Sequence, residues 1–158
     1  MADDKKMSIA KEVYKKLISV IENNSWQYDK DDEHLIIHFV INGKDVPMKL
    51  IFVVDVERQL VRLLSPMPFN FGENNRLDGA IAACVASYGL ADGNFDYDLT
   101  KGSIVFRMTA SFTDSVIGES LLKYMIFCSL ATVDAYNDKF LAIEKGYLSI
   151  DDFINKKS

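Results

Sequence analysis

Residues 34–54, HLIIHFVINGKDVPMKLIFVV, decide the fold. Two runs in which apolar residues alternate with other residues flank the dipeptide Asn42-Gly43, and a period of two is typical of a β-strand with one buried face. Asn-Gly favours a two-residue type I′ turn. The resulting register pairs Ile41 with Lys44, Phe39 with Val46, Ile37 with Met48 and Leu35 with Leu50. Because the large apolar side chains then share one face, the stretch predicts a β-hairpin.

Elements on both sides of this hairpin complete the predicted architecture. They are a first helix from Ser8 to Asn23, an acidic connector from Asp29 to Glu33, a third strand from Gln59 to Ser65, a helix from Glu73 to Tyr88, a second hairpin turning at Lys101-Gly102, a final helix from about Asp114 to Lys145 and a short C-terminal helix over about 149–155. The order α-β-β-β-α-β-β-α predicts an α+β fold, an antiparallel sheet of about five strands with helices. The length favours a single domain, 1–158, with its core over about 8–146.

The helix predicted between Glu73 and Tyr88 contains many small residues. Gly89, just after it, is a typical left-handed stop. The side expected to be buried carries Leu77, Ile81, Cys84, Val85 and Tyr88. Both cysteines, Cys84 and Cys128, are expected to be buried free thiols that act as small hydrophobic residues.

Charge and hydropathy exclude several classes of partner. The chain has 18 Lys plus Arg against 23 Asp plus Glu, a formal net charge of −5, whereas phosphate binding needs a cationic surface. The N-terminus lacks the apolar run of a secretory signal. The most apolar run, Leu121 to Val133, is shorter than the roughly 20 residues that span a bilayer. We therefore expect a cytoplasmic protein that binds no nucleic acid and no membrane.

No motif indicates a catalytic, cofactor or metal site. His34 and His38 are expected on one strand face about 13 Å apart, too far to share a metal ion. No nucleophile elbow and no phosphate-binding loop occur. The sequence therefore predicts a protein that is not an enzyme and has no catalytic residues, cofactor or metal.

The second hairpin carries two carboxylates, Asp96 and Asp98, that could belong to a catalytic or ligand-binding site. A loop at Lys101-Gly102 places Asp96 directly opposite Arg107, which predicts a structural ion pair. The alternative left open is a small-molecule sensor or small enzyme with a pocket near Asp96, Asp98 and Arg107.

Two surfaces are more apolar than a monomeric core requires. The second face of the first hairpin carries Ile36, His38, Val40, Ile51 and Val53, and the final helix is apolar nearly all round from Leu121 to Val133. Both patterns indicate a covering layer, supplied by the remaining helices, another subunit or a partner chain. We predict a homodimer whose interface uses the final helix or this sheet face, and a partner segment of another protein bound at those five residues.

Local phrases carry a resemblance to a known family. They are Asp55 in a strand turn, Leu64-Ser65-Pro66 followed by Pro68-Phe69, Arg76 entering the small-residue helix, Gly93 with Phe95-Asp96, Gly102-x-Ile104-x-Phe106-Arg107, and Val133-Asp134 with Tyr136. Over roughly Trp26 to Gly146 the chain resembles the bacterial YbjN family of sensory transduction regulators, and its element order resembles the type III secretion chaperone-like fold. The resemblance implies a domain without an active site that acts by binding protein. The chaperones of that fold are small, acidic, cytoplasmic homodimers that hold a partner segment in extended form.

Overall fold

The structure is a computed structural model that describes residues 2–156, with side chains described over residues 4–156. Its elements are α1 (Ala2–Asn23), β1 (Tyr28–Asp31), β2 (Ile36–Asn42), β3 (Pro47–Asp55), β4 (Leu60–Asn70), α2 (Arg76–Tyr88), β5 (Asn94–Asp98), β6 (Ser103–Ser111), α3 (Glu119–Glu144) and α4 (Ile150–Asn155), with a 3₁₀ turn at Glu73–Asn75. Met1, Lys157 and Ser158, which the predicted domain includes, lie outside the described residues.

The strands form one antiparallel sheet in the order β1-β2-β3-β4-β6-β5. The predicted α+β class is confirmed, but the sheet has six strands rather than about five. The additional strand, β1, forms within the acidic segment that we expected to be a loop, and it places Asp29 opposite His38. An edge strand exposes most of its side chains to water, so it can consist of charged residues. Such a strand has no alternation of apolar and polar residues by which it could be predicted.

Alternate residues of the sheet face the helices and form the core. The fully buried side chains of this inner face include Ile37, Leu50, Phe52, Val61, Leu63 and Phe106. α3 contacts β3, β4 and β6 and lies between α1 and α2, while α2 covers β5. α4 adds Phe153, whose ring centroid lies 6.2 Å from that of Phe140.

The two hairpins have longer loops than predicted. Asn42 pairs with Pro47 rather than lying in a two-residue turn, so Phe39 faces Leu50 instead of Val46. The loop is held by α3, because Asp134 Oδ1 accepts a hydrogen bond of 3.0 Å from the Lys44 N–H. In the second hairpin, Asp98 pairs with Ser103 across a loop of residues 99–102. Both registers differ from the predicted ones by an even number of residues, so the predicted faces are preserved.

The orientation predicted for α2 is wrong. Its buried residues are Gly79, Ala82, Ala83 and Ala86, whereas Leu77, Ile81, Cys84 and Tyr88 are exposed. A Cβ on Gly79 would lie 2.6 Å from atoms of both Phe71 and Tyr97. Because these large side chains pack so close to the helix, its small-residue side faces them. Gly89 is not left-handed, with φ −89°. The prediction that both thiols are buried is also wrong, since Cys128 is only half-buried.

Several element ends also differ from the prediction. α1 begins at Ala2 instead of Ser8, and β4 continues past Pro66 to Asn70, with irregular pairing over those residues. Proline is tolerated where the ladder is irregular because no donor is required there. α3 does not begin at Asp114, whose φ of +52° an α-helix excludes, but at Glu119, directly after the extended N-cap residue Gly118.

Substitution of Gly102 tests the contact between the second hairpin loop and Phe71, the residue that follows β4. Its φ is +71°, and a Cβ there would lie 2.1 Å from the Phe71 carbonyl oxygen. We expect Gly102→Ala to lower the free energy of unfolding by about 2–4 kcal/mol, from strain and overpacking together.

Two glycines serve as matched controls in urea denaturation. Gly146 also has a positive φ, of +74°, but no atom within 4 Å of a Cβ, so Gly146→Ala reports strain alone, about 1 kcal/mol. Gly118, the N-cap of α3, has neither feature, and Gly118→Ala should cost only the poorer N-cap preference of alanine, about 1 kcal/mol or less. Equal losses in all three variants would contradict the proposed contact.

Candidate protein-binding face of the sheet

The candidate site is the outer face of the sheet, the face that points away from the helices. Strand pairing aligns its side chains in rows that run across four strands. One row is His38, Ile51, Leu64 and Arg107, and the next is Ile36, Val53, Arg62 and Thr109. Val40 lies at the end of β2, opposite Lys49. The register therefore brings all five predicted partner-binding residues onto one continuous surface.

No described helix covers this surface. None of the row residues is buried, and Val40 is 56% exposed. Ile36, Ile51 and Val53 are half-buried, as expected for side chains shielded only by their cross-strand neighbours. Of the three covering layers considered from the sequence, the helices of this chain are therefore excluded over residues 2–156.

Two further strands contribute residues that the sequence did not assign to the site. Leu64 of β4 lies opposite Ile51, and Val105 of β6 lies opposite Pro66. The alternation of apolar residues along both strands was visible, but the sequence does not reveal that β4 lies between β3 and β6. Strand order was the missing information.

Charged groups border the apolar rows. Asp29 Oδ2 lies 3.8 Å from His38 Nδ1 at the β1 side. Asp55 Oδ2 lies 3.8 Å from Arg62 Nη2. The N–H of Arg58, which donates to Asp55, lowers the pKa of that carboxyl. The face therefore combines an apolar centre with a border of ionisable side chains.

A groove opens onto the β1 end of this face. It has a volume of about 360 Å³ and is lined by Gln27, Tyr28, Asp29, His38, Phe39 and Val40. Two predicted partner-binding residues, His38 and Val40, thus line a concave surface next to a carboxylate. This arrangement can receive an apolar side chain and a neighbouring basic group.

The carboxylates of the alternative site have structural contacts. Asp96 Oδ2 lies 2.5 Å from Arg107 Nε, and Asp96 Oδ1 lies 3.1 Å from Arg107 Nη2. The predicted register is wrong, since Asn94 lies opposite Arg107 and the ion pair is diagonal. Asp98 Oδ1 accepts hydrogen bonds from the N–H and hydroxyl of Thr100, at 2.9 and 2.6 Å.

The two histidines lie in different elements, His34 in the turn before β2 and His38 within β2. His34 lies in the turn before β2 rather than on the strand face, and its Nδ1 is 2.8 Å from Asp31 Oδ2. That hydrogen bond raises the pKa of His34. Among residues 2–156, no group of three or more His, Cys, Asp or Glu side chains is placed to hold a metal ion. No helix in that range is long and apolar enough to cross a membrane.

Removal of Arg107 tests the ion pair. Hydrogen bonding from Arg107 is the largest cause that lowers the pKa of Asp96, so Arg107→Met should raise the pKa of the Asp96 carboxyl toward its ordinary value. A carboxyl with a lowered folded-state pKa stabilises the fold above its unfolded pKa of about 4 and loses this effect as the pH falls through the folded value. The stability advantage of the unsubstituted protein, below about 1 kcal/mol for a partly exposed pair, should therefore disappear in acid.

Carbon-13 titration of the side-chain carboxyls measures this change. Asp98 provides an internal control, because hydrogen bonds from Thr100 are the largest cause of its lowered pKa. An unchanged titration of Asp96 in the variant would show that Arg107 is not its partner in solution.

Comparison with known proteins gives no assignment. No protein-family model matches the sequence, and a search of curated proteins finds no match. The likeness to the YbjN family stays a prediction from the residues.

Proposed function

We propose that the protein is a non-enzymatic protein-binding module, chaperone-like or regulatory, that acts in the cytoplasm as a homodimer. The observation that supports this most is the uncovered outer face, where Val40 is exposed and Ile36, Ile51 and Val53 are only half-buried. A sheet with helices on one side ordinarily has a polar outer face. Contiguous exposed apolar surface with a polar border is typical of protein-binding sites.

The partner is a segment of another protein in extended form. Its apolar side chains would lie against Ile36, Ile51 and Val53, the half-buried apolar residues of the outer face. Asp29 borders the groove beside Val40, so a basic residue in the segment gains an electrostatic partner there. The segment we infer is therefore apolar with basic residues at one end.

The resemblance to the YbjN family and to secretion chaperones supports the same proposal, because it implies action by protein binding. The alternative, a small-molecule sensor or small enzyme near Asp96, Asp98 and Arg107, loses support. Asp96 is paired with Arg107, and Asp98 accepts a hydrogen bond from the Thr100 N–H in the turn that follows it. Neither carboxylate is therefore free for acid–base chemistry.

We propose that the homodimer forms through α2. Leu77, Ile81, Cys84 and Tyr88 follow one another at helical spacing and form an exposed stripe, with Leu77 69% and Tyr88 95% exposed. A two-fold axis through the middle of this stripe would pair it with its copy in antiparallel orientation. The sequence instead favoured α3 or the outer sheet face. Placing the dimer on α2 keeps that face available for the partner.

Introducing a charge at the centre of the outer face tests partner binding. Ile51 is half-buried between His38 and Leu64, so Ile51→Asp should abolish capture of the partner while the fold persists. Capture is measured as the amount of each co-purifying protein in pull-downs from the native host at low salt. Circular dichroism and urea denaturation verify that the variant remains folded.

Leu99→Asp is the matched control. Leu99 is 52% exposed in the loop between β5 and β6, outside the rows of the outer face. The proposal requires a protein that is retained by the control and lost with Ile51→Asp. Equal recovery with both variants contradicts the site.

A charge on α2 tests the dimer. Ile81→Glu should convert a dimer into a monomer in light scattering at tens of micromolar, whereas Tyr147→Glu, at an exposed position after α3, should leave the mass unchanged. Oxidation should also link two chains through Cys84, and Cys84→Ser, unlike Cys128→Ser, should prevent the link. A monomeric unsubstituted protein at that concentration would refute the dimer.

A further inference from the structure

A second concave surface lies between α1 and the turn that joins β1 to β2. It has a volume of about 320 Å³ and is lined by Lys11, Tyr14, Lys15 and Ile18 of α1 and by Lys30, Asp32 and Leu35 of the β1–β2 region. None of these residues belongs to the outer sheet face. We call this surface the lysine groove.

The base of the lysine groove is apolar and held in place. Leu35 is 4% exposed and has a φ of +52°, an uncommon conformation for leucine. The Tyr14 hydroxyl donates a hydrogen bond of 3.0 Å to Asp32 Oδ1, which ties α1 to the turn. Ile18 is half-buried beside them. A ligand would therefore meet a preformed apolar floor.

The rim of the lysine groove is cationic, in contrast to the net charge of −5 for the chain. Lys30 Nζ lies 2.7 Å from Asp32 Oδ2, so these two charges balance. Lys11 and Lys15 are exposed and form no ion pair with any residue in the described range 4–156. Two positive charges therefore remain without a counterion.

The spacing of Lys11 and Lys15 suits one anionic group. Residues at i and i+4 of a helix lie about 5–6 Å apart at Cβ, so both ammonium groups can reach the same carboxylate. A like-charge pair at this spacing destabilises a helix in the absence of an anion. A feature that breaks a local rule without a structural benefit is a candidate functional position.

We propose that the lysine groove binds an amphiphilic carboxylate, with its head between Lys11 and Lys15 and its hydrocarbon chain over Tyr14, Ile18 and Leu35. The groove is at the lower end of the size range of small-molecule sites, about 300–1,000 Å³. This activity is separate from the capture of a protein segment by the sheet.

Titration of the full chain with octanoate, followed by proton–nitrogen NMR, tests the proposal. Shift changes should concentrate on amides of residues 11–18 and 30–35 and give a millimolar dissociation constant. The double variant Lys11→Met, Lys15→Met keeps most of each aliphatic stem and removes both charges. It should weaken octanoate binding by about tenfold or more.

Lys16→Met is the matched control, because Lys16 is on the same helix but does not line the groove. Its affinity for octanoate should stay within about twofold of the unsubstituted protein. Octanol, which lacks the charge, and acetate, which lacks the chain, should each bind at least tenfold more weakly than octanoate.

Four results would overturn the proposal. They are no shift changes up to 20 mM octanoate, changes centred on the outer sheet face, equal affinity for octanol and octanoate, and full affinity in the double lysine variant. The amide spectrum of each variant shows whether it is folded, so loss of binding through unfolding is recognised directly.

Discussion

The burial of one face of the central strands is the constraint on which the rest of the structure depends. Ile37, Phe52 and Leu63 are fully buried on that face, and each such side chain stabilises the fold by about 1.5–3 kcal/mol. A shift of one residue in any strand would move its whole apolar set to the opposite face. α1, α2 and α3 pack against this inner face, and α4 packs against α2. The incomplete burial of Ile51 and Val53 on the other side is therefore a consequence of where the helices lie.

Both edge strands of the sheet carry charged side chains, so the apolar part of the outer face lies on the central strands. β1 at one edge carries Asp29 and Asp31, and β5 at the other carries Asp96 and Asp98. Charged edge strands resist pairing with the edges of other sheets. A partner that contacts the outer face is consequently directed to the middle strands, where Leu64 adds to the surface from β4.

The sequence predicts the faces of the strands better than it predicts their neighbours. The face of Phe39 follows from alternation alone and is preserved although its partner is Leu50 rather than Val46. β1 escaped prediction because a charged edge strand has the composition of a loop. The position of Leu64 beside Ile51 depends on strand order, which results from long-range packing and has no local pattern. The outer face could therefore be recognised on two strands but not traced across four.

The reversed orientation of α2 shows how tertiary packing overrides the expectation that large apolar residues are buried. The rings of Phe71 and Tyr97 occupy the space beneath the helix, so only glycine fits at position 79. With the small-residue side of α2 turned to the core, Leu77 and Tyr88 lie on the solvent side. Since their exposure contributes little to folding, their apolar character needs another explanation, and contact with a second chain provides one. The same argument applies to Ile51, because the fold requires a strand at that position but does not require an apolar side chain that faces solvent.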